Sequence, residues 1–123
     1  NGMGTYGVWN LHPSLNLQNG WTAGSEFAWR KNNAGVIEFR GSLVSGVKDI
    51  NTHIGTMPEW ARPYTDTHYM SAGASTGVIS TFVIKANGEI RVGPVAFAAA
   101  ETVLQMGGVS YSAIAQSNSA IGV

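Results

Sequence analysis

The sequence predicts an all-β domain, an antiparallel β-sandwich or barrel. Three observations carry that prediction. Apolar residues recur with period 2 and almost nowhere with period 3.6. Gly- and Asn-containing turn signals break the chain into short runs, as in "QNGW", "KNNAGV" and "KANGEI". Only one stretch, "AFAAAETVLQM", has the composition of a helix.

The elements follow in chain order. The segment "LNLQNGWTAGSEFAWRKNNAGVIEFRG" holds two Trp and two Phe between turn signals. Within residues 36–44, Ile37, Phe39 and Leu43 fall on one side and Glu38, Arg40 and Ser42 on the other, the pattern of a half-buried antiparallel strand. Residues 27–31 alternate too. Pairing Phe27 with Phe39 and Trp29 with Ile37 makes the aromatics cross-strand partners, puts Asn32-Asn33-Ala34 at the tip, and leaves Gly35 to take a positive φ. A second hairpin brackets Asn87-Gly88. A two-residue loop would oppose Ile84 to Arg91, whereas the three-residue loop Ala86-Asn87-Gly88 opposes Ile84 to Ile90 and Phe82 to Val92. The second arrangement keeps apolar against apolar and predicts Gly88 in a left-handed bulge position. Further strands are expected within 67–74, 78–84 and 109–115. "QMGGVSY" reads as a strand, a Gly-Gly turn or bulge, and a return strand. For 95–106 a strand pair is preferred over a lone helix, which would need a packing surface of its own.

At 123 residues the chain is one domain's worth, with a core large enough to need no staples. With no cysteine, disulfides and thiolate zinc sites are excluded. Charged residues make up 11% against 44% hydrophobic, far below the usual quarter, so Ser, Thr, Asn and Gly must solubilise the surface. Neutral polar surfaces of this kind suit symmetric assemblies and sugar binders. The formal net charge is zero, and seven scattered Lys and Arg make no basic stripe, so no nucleic-acid partner is expected. There is no run of 18 apolar residues and no signal-like opening, so no membrane insertion is expected either. A start at Asn1 suggests a fragment or a processed domain.

Catalytic and metal-binding signals are sparse. His12, His53 and His68 are far apart and lack ligand spacing, so no metal or other cofactor is expected. There is no Gly-x-Ser-x-Gly elbow, and "GASTG" lacks the Lys and the helix of a phosphate loop. Glu26, Glu38, Glu59, Glu89, Glu101, Asp49 and Asp66 offer carboxylates for glycoside hydrolysis, but sequence places no two of them at a working separation. A glycosidase therefore ranks last among the functional readings.

"GTMPEWARPYTDTHYM" is richer. Trp60, Arg62, Asp66, His68 and Tyr69, with Tyr64 between them, combine aromatic ring faces with planar hydrogen-bonding groups, the mixture a saccharide site needs. Taken singly, each has a simpler structural reading. Met57-Pro58 and Arg62-Pro63 fix an extended crossing between strands, Trp60 plugs one end of the sandwich, and Arg62 bridges to a carboxylate. If the segment is a sugar site, Trp60→Ala should leave the fold intact and weaken binding. Trp9 and Trp21 are read as core or protomer-contact residues, and Trp29 as core.

The order "LQNGW", "AWRKNNAGVIEFRGSLVSG", "IGTMPEWARP", "VIKANGEIRV" and "LQMGGVSY" resembles a β-sandwich module at the ends of receptor-binding and baseplate or tail-fibre proteins of tailed phages infecting Gram-positive bacteria. The resemblance spans roughly residues 15 to 112 and rests on the order and spacing of short motifs. It implies a head domain over 15–116, a connector or edge strand from a preceding stalk over 1–14, and a C-terminal tail over 117–123. It also implies a homotrimer at the virion tail tip that recognises host cell-wall polysaccharide without catalysis and joins other baseplate or tail proteins through whatever precedes it. The His-x-Asp and the Trp of lactococcal phage heads correspond here to Thr81, Val83 and Val92, so a sugar pocket would be built differently. That departure moves the expected site to Trp60, Arg62, Asp66, His68 and Tyr69. Two further readings stand beside this one: a structural baseplate or spike connector with no ligand, and a monomeric accessory carbohydrate-binding module.

Overall fold

The computed structural model describes residue 9 and residues 15–74, 76–95 and 100–113. The expected tail, His12 and all of the expected connector except Trp9 lie outside the described residues.

The described chain is all-β, with ten short strands and no α-helix. The strands are β1 (Thr22–Ala23), β2 (Ala28–Lys31), β3 (Val36–Arg40), β4 (Ser42–Val44), β5 (His53–Thr56), β6 (Thr67–Ala72), β7 (Ile79–Ile84), β8 (Glu89–Val92), β9 (Val103–Gln105) and β10 (Ser110–Ser112). They form three antiparallel sheets, ordered β1-β4-β9, β10-β3-β2 and β5-β8-β7-β6. A 3-10 turn, Glu59–Ala61, follows β5. No helix among the described residues is long and apolar enough to cross a membrane.

Turn chemistry explains the hairpins. In "LQNGW", Asn19 and Gly20 both have positive φ, 58° and 82°, and Trp21 N donates to Gln18 O at 3.2 Å. This is the type I′ geometry that Asn-Gly favours. The β7–β8 loop is Ala86-Asn87-Gly88 as expected, with Gly88 at φ 95° and registers Ile84↔Ile90 and Phe82↔Val92.

The β2–β3 register differs from the expected one by two residues. Trp29 faces Phe39 and Lys31 faces Ile37, in place of Phe27 against Phe39 and Trp29 against Ile37. The Asn32 side chain decides it: its Oδ1 accepts from Ala34 N at 2.9 Å and Val36 N at 3.1 Å, while Gly35 at φ 85° donates its N–H to Asn32 O. The loop is therefore Asn33-Ala34-Gly35, the same three-residue type as in β7–β8. Phe27 still reaches Phe39, at 6.4 Å between centroids.

The strand expected over 36–44 exists as two pieces, because Gly41 at φ 75° interrupts it. Its partner is broken at Gly107 and Gly108. "QMGGVSY" is not the strand and its return expected from the sequence: β9 pairs with β4, and β10 with β3. The two halves form one antiparallel ribbon, bent where Gly41 O accepts from Met106 N at 2.9 Å and Gly107 N at 3.1 Å. Between the registers Ser42↔Gln105 and Glu38↔Ser110, four residues oppose three, which is a bulge at a sandwich corner. Of the stretch over 95–106, Val103–Gln105 is strand, while 96–99 lie outside the described residues.

One core joins the bent ribbon to the four-stranded sheet. Trp29, Ile37, Phe39 and Leu43 pack with Ile54, Phe82, Ile84 and Ile90 in a single buried cluster. Trp21 is buried as well, its Nε1 donating to Val47 O at 3.0 Å.

Candidate binding surface

The segment singled out in the sequence is dispersed by the fold. Trp60 lies on the 3-10 turn, tilted against the core ring of Trp29 at 5.2 Å between centroids and 38% exposed. Arg62 donates Nε to the Met57 carbonyl at 3.1 Å, a backbone partner where a carboxylate was expected. Asp66 accepts from Ala86 N at 2.8 Å and so fastens the β7–β8 loop. His68 and Tyr69 are neighbours on β6, and strand alternation sends them to opposite faces. His68 is on the exposed outer face; Tyr69 turns inward, stacks on Phe82 at 5.2 Å and donates its hydroxyl to Ser110 O at 2.9 Å. Trp60 and Tyr69 thus keep some exposed surface, whereas Arg62 and Asp66 are occupied by the backbone.

The structure brings a different set of residues together at the bent corner. A groove of about 500 Å³ runs between β6 and the β9–β10 corner, lined by Tyr69, Ser71, Gly73, Gln105, Gly107 and Gly108. A second hollow of about 270 Å³ lies on the other side of the corner, lined by Trp9, Arg30, Glu38, Phe39 and Ser110, and it shares Gly108 and Val109 with the first. Arg30 donates Nε to Glu38 at 2.8 Å. The guanidinium carbons of Arg30 and Arg40 lie 4.4 Å and 4.5 Å from the centre of the Trp9 ring. No sequence motif marks this set, which spans residues 9 to 110; the Gly-Gly pair is its visible signal.

Burial shapes the tyrosines beside the groove. It pushes the Tyr69 phenol up to about 12. Tyr111, which donates to the Ala61 carbonyl at 2.6 Å, is pushed up further by its deeper burial and by the neighbouring Tyr69. Both phenols hold their protons more tightly folded than unfolded. Their contribution to stability is therefore complete below pH 10 and is lost as pH rises from about 10 towards 12. Urea midpoints should fall steeply over that window. In a titration followed at 295 nm, two of the four tyrosines should stay protonated until the chain unfolds.

Elsewhere the charged groups serve the fold. Glu89 pairs with Arg91 at 2.9 Å, and that hydrogen bond holds its carboxyl below the usual range. His53 Nε2 lies 2.9 Å from Gly55 O and from Thr56 Oγ1. No group of three or more His, Cys, Asp or Glu side chains suited to a metal occurs among the described residues.

Comparison with solved structures places this fold beside the receptor-binding protein gp15 of Listeria phage PSA. The match has a TM-score of 0.65 at 18% identity and covers 80% of this chain. The chain spans 61% of that protein's length. The two share a fold. No family model matches the sequence, and no curated protein matches it.

Proposed function

We propose that this chain is a receptor-binding head of a phage tail, that it recognises a host cell-surface saccharide without catalysis, and that it acts as a homotrimer at the virion tail tip. The observation that carries the reading is the shared fold with a phage receptor-binding protein. Three features of the chain support it. The surface is poor in charge, with 11% Asp, Glu, Lys and Arg. Among the acidic side chains, Glu38 and Glu89 are paired with arginines, while Asp66 and Glu101 are held by backbone donors, so these carboxylates serve the fold. The outer face of β6–β7 carries Met70 at 75% exposure and Ile79 at 54%, with Val95 at 55% nearby, apolar area that copies of the chain would cover. In this reading the host is a Gram-positive bacterium, other tail or baseplate proteins join through neighbouring segments, and Trp60, Tyr64 and Tyr69 supply the exposed aromatic surface of the segment expected from sequence.

The test is binding of the labelled chain to bacterial cells, with isolated cell-wall polysaccharide as competitor and light scattering on the same sample. Saturable binding that the polysaccharide displaces, without release of reducing sugar, and a concentration-independent trimer are expected. A stable trimer that binds no surface polysaccharide would favour a structural connector. A monomer that binds would favour an accessory carbohydrate-binding module.

A further inference from the structure

We propose that the two hollows flanking Gly107 and Gly108 form one groove that binds a neutral, hydroxyl-rich oligosaccharide. This site rests on the saccharide-binding reading above and gives it a location that the sequence did not indicate.

Continuity comes first. Both hollows are lined by Gly108 and Val109, and the Tyr69 hydroxyl from the first reaches the Ser110 carbonyl of the second, so the two meet along this corner. The turn itself explains the two glycines. Val109 N donates to Met106 O at 3.1 Å, and Gly108 sits at φ 86° in the third position of that turn, as type II geometry requires. Gly107 takes the second position, which any L-residue can occupy, and a Cβ there would meet nothing nearer than Gly41 N at 4.0 Å. Backbone geometry therefore accounts for Gly108, while Gly107 has room for a side chain and carries none. The missing side chain is what keeps the groove open.

The chemistry of the walls identifies the ligand class. At one end Trp9 offers an indole, the flat apolar face on which the C–H side of a sugar ring packs. Arg30 and Arg40 share the outer face of β2–β3 with Glu38, since Trp29 and Phe39 point inward, and both guanidinium groups hold the indole in place over that face. Across the corner lie the exposed Gln105 amide and Tyr69, whose hydroxyl donates to Ser110 O; Ser71 is buried there, its Oγ accepting from Gln105 N at 3.0 Å. β6 is the edge of its sheet, and every second residue along it turns its N–H and C=O away from β7. Hydroxyl groups are both donors and acceptors and match such a wall. The lining includes one Arg and one Glu, and these neutralise each other at 2.8 Å, so no unpaired charge among the lining residues calls for a charged ligand.

A size series at Gly107 tests the site. The intact chain, Gly107→Ala and Gly107→Phe are applied to a printed array of bacterial surface oligosaccharides, and affinities are then measured by calorimetry on the best neutral ligand. Melting temperatures run in parallel. The alanine variant should bind like the parent. The phenylalanine variant should lose affinity about tenfold or more while melting within a few degrees of it. Trp9→Ala should weaken the same ligand comparably, and it carries the test if Gly107→Phe lowers the melting temperature. If the parent binds and both large-effect variants bind equally well, the groove is overturned and the saccharide reading stands. A parent that binds no glycan overturns both. A preference confined to anionic glycans overturns the ligand class.

Discussion

Gly41→Ala should abolish folding at growth temperature or lower the melting temperature by more than about 10 °C. Two costs add. The residue sits at φ 75°, where an L-side chain is strained by about 1 kcal/mol. The new methyl would also overlap the Phe27 amide and the Glu26 carbonyl, lying 2.6 Å from Glu26 O. These neighbours are backbone, so no rotamer change relieves the clash. Any retreat of Gly41 also pulls its carbonyl from Met106 N and Gly107 N, the two bonds that set the bend. Together these effects should cost about 3–5 kcal/mol, a large part of a typical domain's 5–15. Thermal and urea melts check it, and Gly107→Ala is the internal control. It sits across the same corner in open space and should shift stability by less than about 0.5 kcal/mol.

Glu101→Ala should be comparably severe. The side chain is fully buried, yet each oxygen accepts at least two hydrogen bonds. Oε1 accepts from Thr76 N at 3.1 Å and Thr76 Oγ1 at 2.9 Å, and Oε2 from Thr102 N at 3.2 Å and Val103 N at 3.0 Å. The carboxylate ties the β6–β7 connection to the start of β9. Gly73 belongs to the same device, since a Cβ there would overlap Glu101 Oε1. Alanine leaves three backbone donors without their acceptor, at about 1–3 kcal/mol for each one that stays buried. Glutamine keeps one oxygen and turns an amide N–H₂ toward the other pair of donors. It should therefore lose about half as much as alanine. Hydrogen exchange gives a second readout, with Thr76 and Val103 losing protection before the core of β7.

Legibility in the sequence followed what alternation can and cannot detect. The β7–β8 hairpin was readable because the competing loop put Ile84 against Arg91, a mismatch that period 2 exposes at once. The β2–β3 slip escaped because a two-residue shift preserves both faces. Phe27, Trp29, Ile37 and Phe39 stay inward in either register, and only the Asn32 side chain distinguishes them. The same alternation that reveals strands dissolved the expected site. His68 and Tyr69 are adjacent in sequence and opposed in space, while Arg62 and Asp66 were claimed by backbone atoms that composition does not reveal. The corner groove shows the converse. Trp9, Arg30, Tyr69 and Gln105 meet only after the chain has paired residues more than 60 positions apart, so no window contains them.

The bent ribbon also sets a schedule for synthesis. β3 is made early, but its outer partner β10 follows some seventy residues later. At about 5–20 residues per second, that interval is roughly 4–14 s on the ribosome. The β2–β3 and β7–β8 hairpins close locally within it. The outer edge of β3 stays unpaired until Ser110–Ser112 has emerged, so the nascent chain waits with the backbone of residues 36–38 uncovered along that edge. Stalling translation shortly before Tyr111 should leave a chaperone-bound, protease-sensitive chain. A few residues more, once past the exit tunnel, should release a folded one.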